Sequence, residues 1–125
     1  MATNTHRAGG IRGLLAWQWE GYARYHQSRV NLLLHVLLVP LFLAGNIAVV
    51  TGLVRLDWIE AVFGMGCMAV SMVLQGRGHR GEPVPPVPFG GTGNALGRIF
   101  LEQWITFPRF VLSGGWWGAL RGISA

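Results

Sequence analysis

Y-A-R-Y-H-Q-S-R-V-N-L-L-L-H-V-L-L-V-P, Tyr22 to Pro40, opens as a polar, arginine-bearing segment and becomes an apolar run that continues to Val54. The 25 residues from Val30 to Val54 carry no formal charge, and a bilayer core needs about 20 to cross. Two histidines straddle the change of solvent, His26 at the polar edge and His35 inside the apolar run. An ionisable group at that depth is costly and calls for a partner. Nine residues apart, the pair would point to opposite sides of one straight helix at roughly 100° per residue. Ser28 resolves this, because it is a good N-cap. If the helix starts there, His26 belongs to the preceding turn and folds back over the helix end, while Asn31 and His35 become i, i+4 neighbours. Pro40 cannot donate to the carbonyl of Val36, beside His35, so a kink is expected near the histidine.

Working outward, the composition fits a membrane. Hydrophobic residues make up 51% of the 125 and charged residues 12%, about half the charge of a soluble domain. All ten basic residues are arginine, against five acids, for a net charge of +5. No basic helix or aromatic-basic platform accompanies that charge, which argues against nucleic acid and for anionic headgroups. Arginine without lysine hints at a GC-rich genome and a bacterial inner membrane. Cys67 is the only cysteine, so an internal disulfide is excluded.

Residues 1–10, with His6, read as a flexible tail, and the first long apolar run is too late and too long for a signal peptide. Ile11 to Tyr25 places Trp17, Trp19, Tyr22 and Tyr25 among Arg12, Glu20 and Arg24. That pattern predicts an interfacial helix, with a soluble helix packing its aromatics inward as the alternative. After a short turn over Arg55 to Glu60, a second apolar stretch of 16 uncharged residues, Ala61 to Gly76, completes a transmembrane hairpin. Gly64 and Gly66 would permit close helix contact. Arginines flank the hairpin on both outer ends and only Arg55 occupies its tip, so both ends are expected on the cytoplasmic face. This returns His79 to the same side as His26.

Residues 76–97, rich in glycine and proline, read as a cytoplasmic strap carrying His79, Arg80 and Glu82. From Arg98 to Leu120 an apolar segment is interrupted by Glu102 and Arg109, seven residues apart and so nearly on one helical face, with Pro108 between them. A kinked or re-entrant C-terminal helix is expected, with Glu102 and Arg109 paired or facing a polar pocket. The fold class is therefore all-α: a single small integral-membrane helical bundle over residues 1–125. Histidines brought to one face with a carboxylate nearby suit non-haem iron or zinc. A haem held by two of the histidines and a purely structural membrane protein are the alternatives. Asn31 suits orienting a ligand or substrate, and Arg109 or Arg80 suits holding a carboxylate.

The pattern Y-H-x4-N-x3-H-x4-P at Tyr25, His26, Asn31, His35 and Pro40 is followed by Q-x2-G-H at Gln75, Gly78 and His79. It resembles the Mpo1-like (DUF962) family, and the F-P-R-F run at Phe107 to Phe110 is similar to that family's element near its end. The resemblance covers roughly residues 22–111. It implies an iron(II)-dependent membrane dioxygenase of fatty-acid α-oxidation, converting a 2-hydroxy fatty acid and O2 to the acid one carbon shorter. It also implies His26, His35 and His79 as the iron ligands. The family's glutamate stands four residues after the late histidine, whereas Glu82 is three after His79. The larger members carry a further apolar pair that this chain lacks.

Overall fold

The computed structural model describes residues 10–122. The tail expected over 1–10, with His6, lies outside them except for Gly10. The described residues form helices and connecting loops, with no strand among them: α1 (Gly10–Gly21), a 3-10 turn (Tyr22–Tyr25), α2 (Arg29–Arg55), α3 (Trp58–Arg80), α4 (Thr92–Leu101), a π-helical turn (Glu102–Thr106), α5 (Phe107–Leu112) and α6 (Gly115–Leu120).

Helix α2 starts where a capping serine permits. The Ser28 side chain accepts from the Asn31 N–H at 3.4 Å, satisfying one of the donors left open at a helix start. It then runs unbroken through Pro40. Leu56 stops it in the left-handed region, φ 57°, with its N–H directed at the Gly52 and Leu53 carbonyls. Asp57 immediately caps α3 by accepting the Glu60 N–H at 3.1 Å. The turn is therefore only Leu56 and Asp57, shorter than the sequence reading. Helix α3 gains Trp58 to Glu60 at its start, and both helices are long and apolar enough to cross a membrane.

A two-residue turn makes α2 and α3 antiparallel, and glycine lets them pack closely. A Cβ on Gly45 would lie 2.7 Å from the Gly64 carbonyl oxygen, and one on Gly64 equally close to that of Gly45. Gly66, the other glycine expected at this contact, instead faces open space. Nearer the chain's other bend, a Cβ on Gly78 would run into Asn31 Oδ1. Helix α3 consequently stays helical through Gly76 and Gly78 to Arg80. The strap expected over 76–97 is reduced to residues 81–91, and His79 stands on a helix. Contact with α2 at Gly78 offsets the roughly 1 kcal/mol that a glycine costs in a helix interior, while Gly76 faces open space.

The C-terminal elements lean on this hairpin. Trp116 Nε1 donates to the Leu32 carbonyl at 2.9 Å and Arg29 Nε to that of Leu120 at 3.0 Å, which seats α6 against the start of α2. Tyr22, Leu32, Val39, Phe107, Phe110 and Trp116 form the apolar core beside it. A reciprocal pair of amide bonds, both 2.9 Å, joins Gln75 of α3 to Gln103 of the π turn. Helix α1 is tied to α4 and to the same turn: Gln18 Nε2 donates to the Arg98 carbonyl at 2.7 Å, and Thr106 Oγ1 to Gln18 Oε1 at 2.5 Å. The segment read as a kinked or re-entrant helix is divided among α4, this π turn, α5 and α6, and directly before Pro108 the Phe107 N–H reaches back to the Glu102 carbonyl. Proline cannot donate, and one wide turn directly before it absorbs the mismatch.

Candidate metal centre

Three separate elements each bring one imidazole to the same point. His26 ends the 3-10 turn, with its ring stacked on Tyr22 at 3.8 Å between centroids and its Nδ1 2.7 Å from the Tyr22 carbonyl oxygen. His35 lies near the start of α2, with Nδ1 2.9 Å from the Asn31 carbonyl oxygen. A carbonyl only accepts, so in both rings Nδ1 carries the proton and a neutral ring presents the Nε2 lone pair. His79 occupies the last turn of α3. The ring centroids are separated by 4.9, 4.8 and 5.0 Å, and the planes are mutually near-perpendicular at 90°, 80° and 87°.

Glu102, at the start of the π turn, completes the cluster. Its Oε2 lies 3.4 Å from His26 Nε2 and 3.6 Å from His35 Nε2, and it accepts from the Tyr22 hydroxyl at 2.8 Å. One ligand atom from each of the four residues falls within 4.8 Å of all the others. His26 Nε2, His35 Nε2 and His79 Nδ1 are buried and have no hydrogen-bond partner. Left so, each would cost about 1–3 kcal/mol. A divalent cation at their common focus satisfies all three and the carboxylate together. Three neutral nitrogens and one oxygen are a borderline donor set that fits zinc, iron(II) or a similar ion. Burial alone would push the Glu102 carboxyl up; protonated His26 and His35, with Nε2–H donors and positive charge, would outweigh it and hold the carboxyl well below the usual carboxylate range. Burial pushes the Tyr22 phenol well up, with the Glu102 charge and hydrogen bond adding to it. The phenol therefore stays a donor to that carboxylate.

The carboxylate anticipated beside the histidines was Glu82, and the structure places it elsewhere. Glu82 accepts from the backbone N–H of Gln27 at 2.7 Å and of Ser28 at 3.0 Å. It also accepts from Asn31 Nδ2 at 2.8 Å. Its charge sits at the positive end of α2, where open donors favour an anion. Because α3 continues through His79, the chain turns toward that helix end within the next three residues. Asn31 donates to Glu82 through Nδ2, and its carbonyl accepts from His35 Nδ1.

Glu102 was visible in the sequence as a charge in an apolar segment, and it was assigned either to a pair with Arg109 or to a polar pocket on the face the two would share. That assignment assumed regular helix across the seven residues between them. The π turn lies in that interval, so the two do not share a face. Arg109 instead sits over the Trp19 ring at 4.0 Å, and Arg80 is exposed at the end of α3. Neither lines the cavity of about 750 Å³ onto which the centre opens. His26, His79 and Glu102 do, together with Tyr22, Arg24 and Arg98 and apolar walls from Trp17, Met72, Val87, Phe89 and Ile99. Burial lowers the Arg98 pKa, with the charges of Glu102 and Tyr25 opposing it. No protein-family model, curated protein or solved structure matches the chain.

Proposed function

We propose that this protein is a membrane metalloenzyme, an iron(II)-dependent dioxygenase that shortens a 2-hydroxy fatty acid by one carbon. The observation that carries the reading is the set of three buried, unpartnered imidazole nitrogens focused with Glu102 beside an apolar-walled cavity. The resemblance of the His26–Asn31–His35–Pro40 and Gln75–Gly78–His79 pattern to the Mpo1-like family adds the metal and the substrate class.

His26, His35, His79 and Glu102 would hold the ion. When bound, iron(II) supplies a redox centre and a template for O2 and the substrate oxygens. The balance closes without an outside reductant: a 2-hydroxy acid and O2 give the shorter acid, CO2 and water. Four electrons leave the two substrate carbons and four reduce O2. The chain's own part is to fix the donors and shape the cavity. Carbonyls of Tyr22 and Asn31 lock two imidazole tautomers, and the Tyr22 hydroxyl holds Glu102 in place. Apolar walls receive an alkyl tail and limit water around the reacting carbons.

A membrane setting is supported by the outer surface of the hairpin. Leu37, Val54, Ile59 and Phe63 are each more than 70% exposed, and a water-soluble monomer seldom presents so large an apolar face. Arg24, Arg29, Arg77 and Arg80 gather at the centre's end and Arg55 alone among the arginines lies at the turn, which supports a cytoplasmic setting for the centre; the membrane proposed is a bacterial inner membrane. The haem alternative is disfavoured because a third imidazole and a carboxylate share the same small volume, which leaves no slot for a macrocycle between two axial histidines.

Protein purified without oxygen should contain about one iron per chain and show no haem absorption band. With a 2-hydroxy fatty acid it should consume O2 and release CO2 in equal amounts. An intense haem band, or stoichiometric metal with no O2 consumption on any 2-hydroxy acid, would overturn the assignment.

A further inference from the structure

We propose that Arg98 is the anchor for a carboxylate in the cavity, so that an anionic amphiphile is recognised there by a guanidinium held between the Trp17 and Phe89 rings. The location rests on the metalloenzyme reading above, while the binding it describes is independent of turnover. Arg98 stands one helical turn before Glu102 on α4, and residues four apart share a face. Both line the same cavity. The guanidinium carbon lies 5.0 Å from the Trp17 ring centroid and 4.5 Å from that of Phe89. Nη2 donates to the Val87 carbonyl at 2.7 Å and Nη1 to the Pro88 carbonyl at 3.0 Å.

Those acceptors are neutral, and no carboxylate among the described residues lies within ion-pair distance of Arg98. Glu102, whose field reaches it, already accepts from the Tyr22 hydroxyl. Arginine carries five N–H donors, so after the two carbonyl bonds others remain for a ligand. A cation partly withdrawn from water against aromatic walls, without a counter-ion, is costly. An incoming carboxylate removes that cost and gains charge-assisted, paired hydrogen bonds. Arg24 also lines the cavity but is exposed, so water already solvates its charge. Arg109 and Arg80 lie outside the cavity, which leaves Arg98 as the arginine suited to this task.

Arg98 also clamps the 81–91 strap through Val87 and Pro88, and a purely structural role must be told apart from recognition. The ligand's own charge separates the two. Binding of 2-hydroxyoctanoic acid and of its methyl ester would be measured on the full chain, zinc-loaded so that no turnover occurs, and again after chelation. Wild-type protein should prefer the acid by about ten- to hundredfold, the scale of a charge-assisted bond. Arg98→Gln should abolish that preference while ester binding changes less than about twofold. Arg98→Lys should keep part of the preference, and Arg24→Gln nearly all of it. Equal loss of acid and ester binding in Arg98→Gln would assign the residue to the strap alone. Loss of the preference on chelation, with Arg98→Gln retaining it, would assign carboxylate recognition to the metal. Absence of any preference in the wild type, or its loss in Arg24→Gln instead, likewise overturns the proposal. None of these outcomes depends on O2 consumption, so the dioxygenase reading stands or falls separately.

Discussion

The two ends of the α2–α3 hairpin solve opposite problems with the same pair of helices. Toward the turn, Gly45, Gly52, Gly64 and Ala61 bring backbone against backbone, and large apolar side chains point outward. Toward the other end the outside is still apolar at Leu33 and Val73. The inside there holds Asn31, His35, Ser71, Gln75 and, from outside the hairpin, His26 and Gln103, all buried. The turn end gives the pair a fixed separation by allowing nothing between the helices. The other end uses that fixed separation to hold polar groups at set distances. Polar chemistry inside an apolar exterior can be maintained only if nearly every buried polar group has a partner, and here the exceptions cluster. Among the described residues, three of the four unpartnered buried side-chain atoms are imidazole nitrogens of the cluster with Glu102, and the fourth is Asn31 Oδ1.

Three measurements test that contrast. The largest effect is expected at the polar end. Replacing His26, His35 or His79 singly by alanine should reduce bound metal from about one per chain to a small fraction of it, because a ligand is removed outright. Metal analysis of each purified variant reads this. Full metal content in all three would make the polar end an ordinary hydrogen-bonded core and erase the distinction.

The next effect belongs to the glycine end. Gly64→Leu should destabilise the protein by about 1–3 kcal/mol or more, since overpacking forces the helices apart. Gly66→Leu, facing open space, should stay within about 0.5 kcal/mol of wild type. Thermal unfolding in one detergent compares them. Equal melting temperatures would mean that the glycine contact does not set the helix separation. If folded Gly64→Leu also binds metal more weakly, the two ends are mechanically coupled, which sharpens the comparison.

The smallest effect is expected from Tyr22→Phe. The ring would still stack on His26, and only the hydroxyl on Glu102 Oε2 is lost. Metal affinity should fall about tenfold, the lower range for a group that orients a ligand, with the melting temperature nearly unchanged. A competition titration against a chelator measures it. An unchanged affinity would show that Glu102 needs no help to keep its place.

Much of the frame was legible in residues 22–80. Ser28 followed by a long uncharged run sets the start of α2, and a histidine two residues before that cap must fold back over the helix end. Two apolar runs joined by a short turn return His79 to the side of His26. Each of these follows from local rules: capping chemistry, the length of an apolar run, and the reversal a tight turn imposes. The identity of the carboxylate does not follow from such rules. Glu82 is near His79 in sequence, yet it caps α2, because open N–H groups at a helix start attract an anion more directly than neutral imidazoles do.

What the tertiary structure alone decided lies in the last quarter of the chain and in the glycines of α3. Periodicity counts residues at a constant angle, and one π turn before Pro108 breaks that count, separating Glu102 from Arg109 and sending the first to the histidines and the second to Trp19. Glycine at 76 and 78 reads locally as a helix breaker. Both lie in helix here: at 78 Asn31 of the neighbouring helix occupies the space that a side chain would need, while Gly76 faces open space. Arg98 gave no sign in the sequence of lining a cavity, since Trp17, Val87, Pro88 and Phe89 meet it only after α1 and the strap have folded over α4. The sequence by itself determined the two hairpin helices as far as Gln75 and which end of the hairpin carries the histidines, because those depend on contacts within a turn or two. Which acid and which arginine join them depends on contacts between segments distant in the chain, and only packing brings those into being.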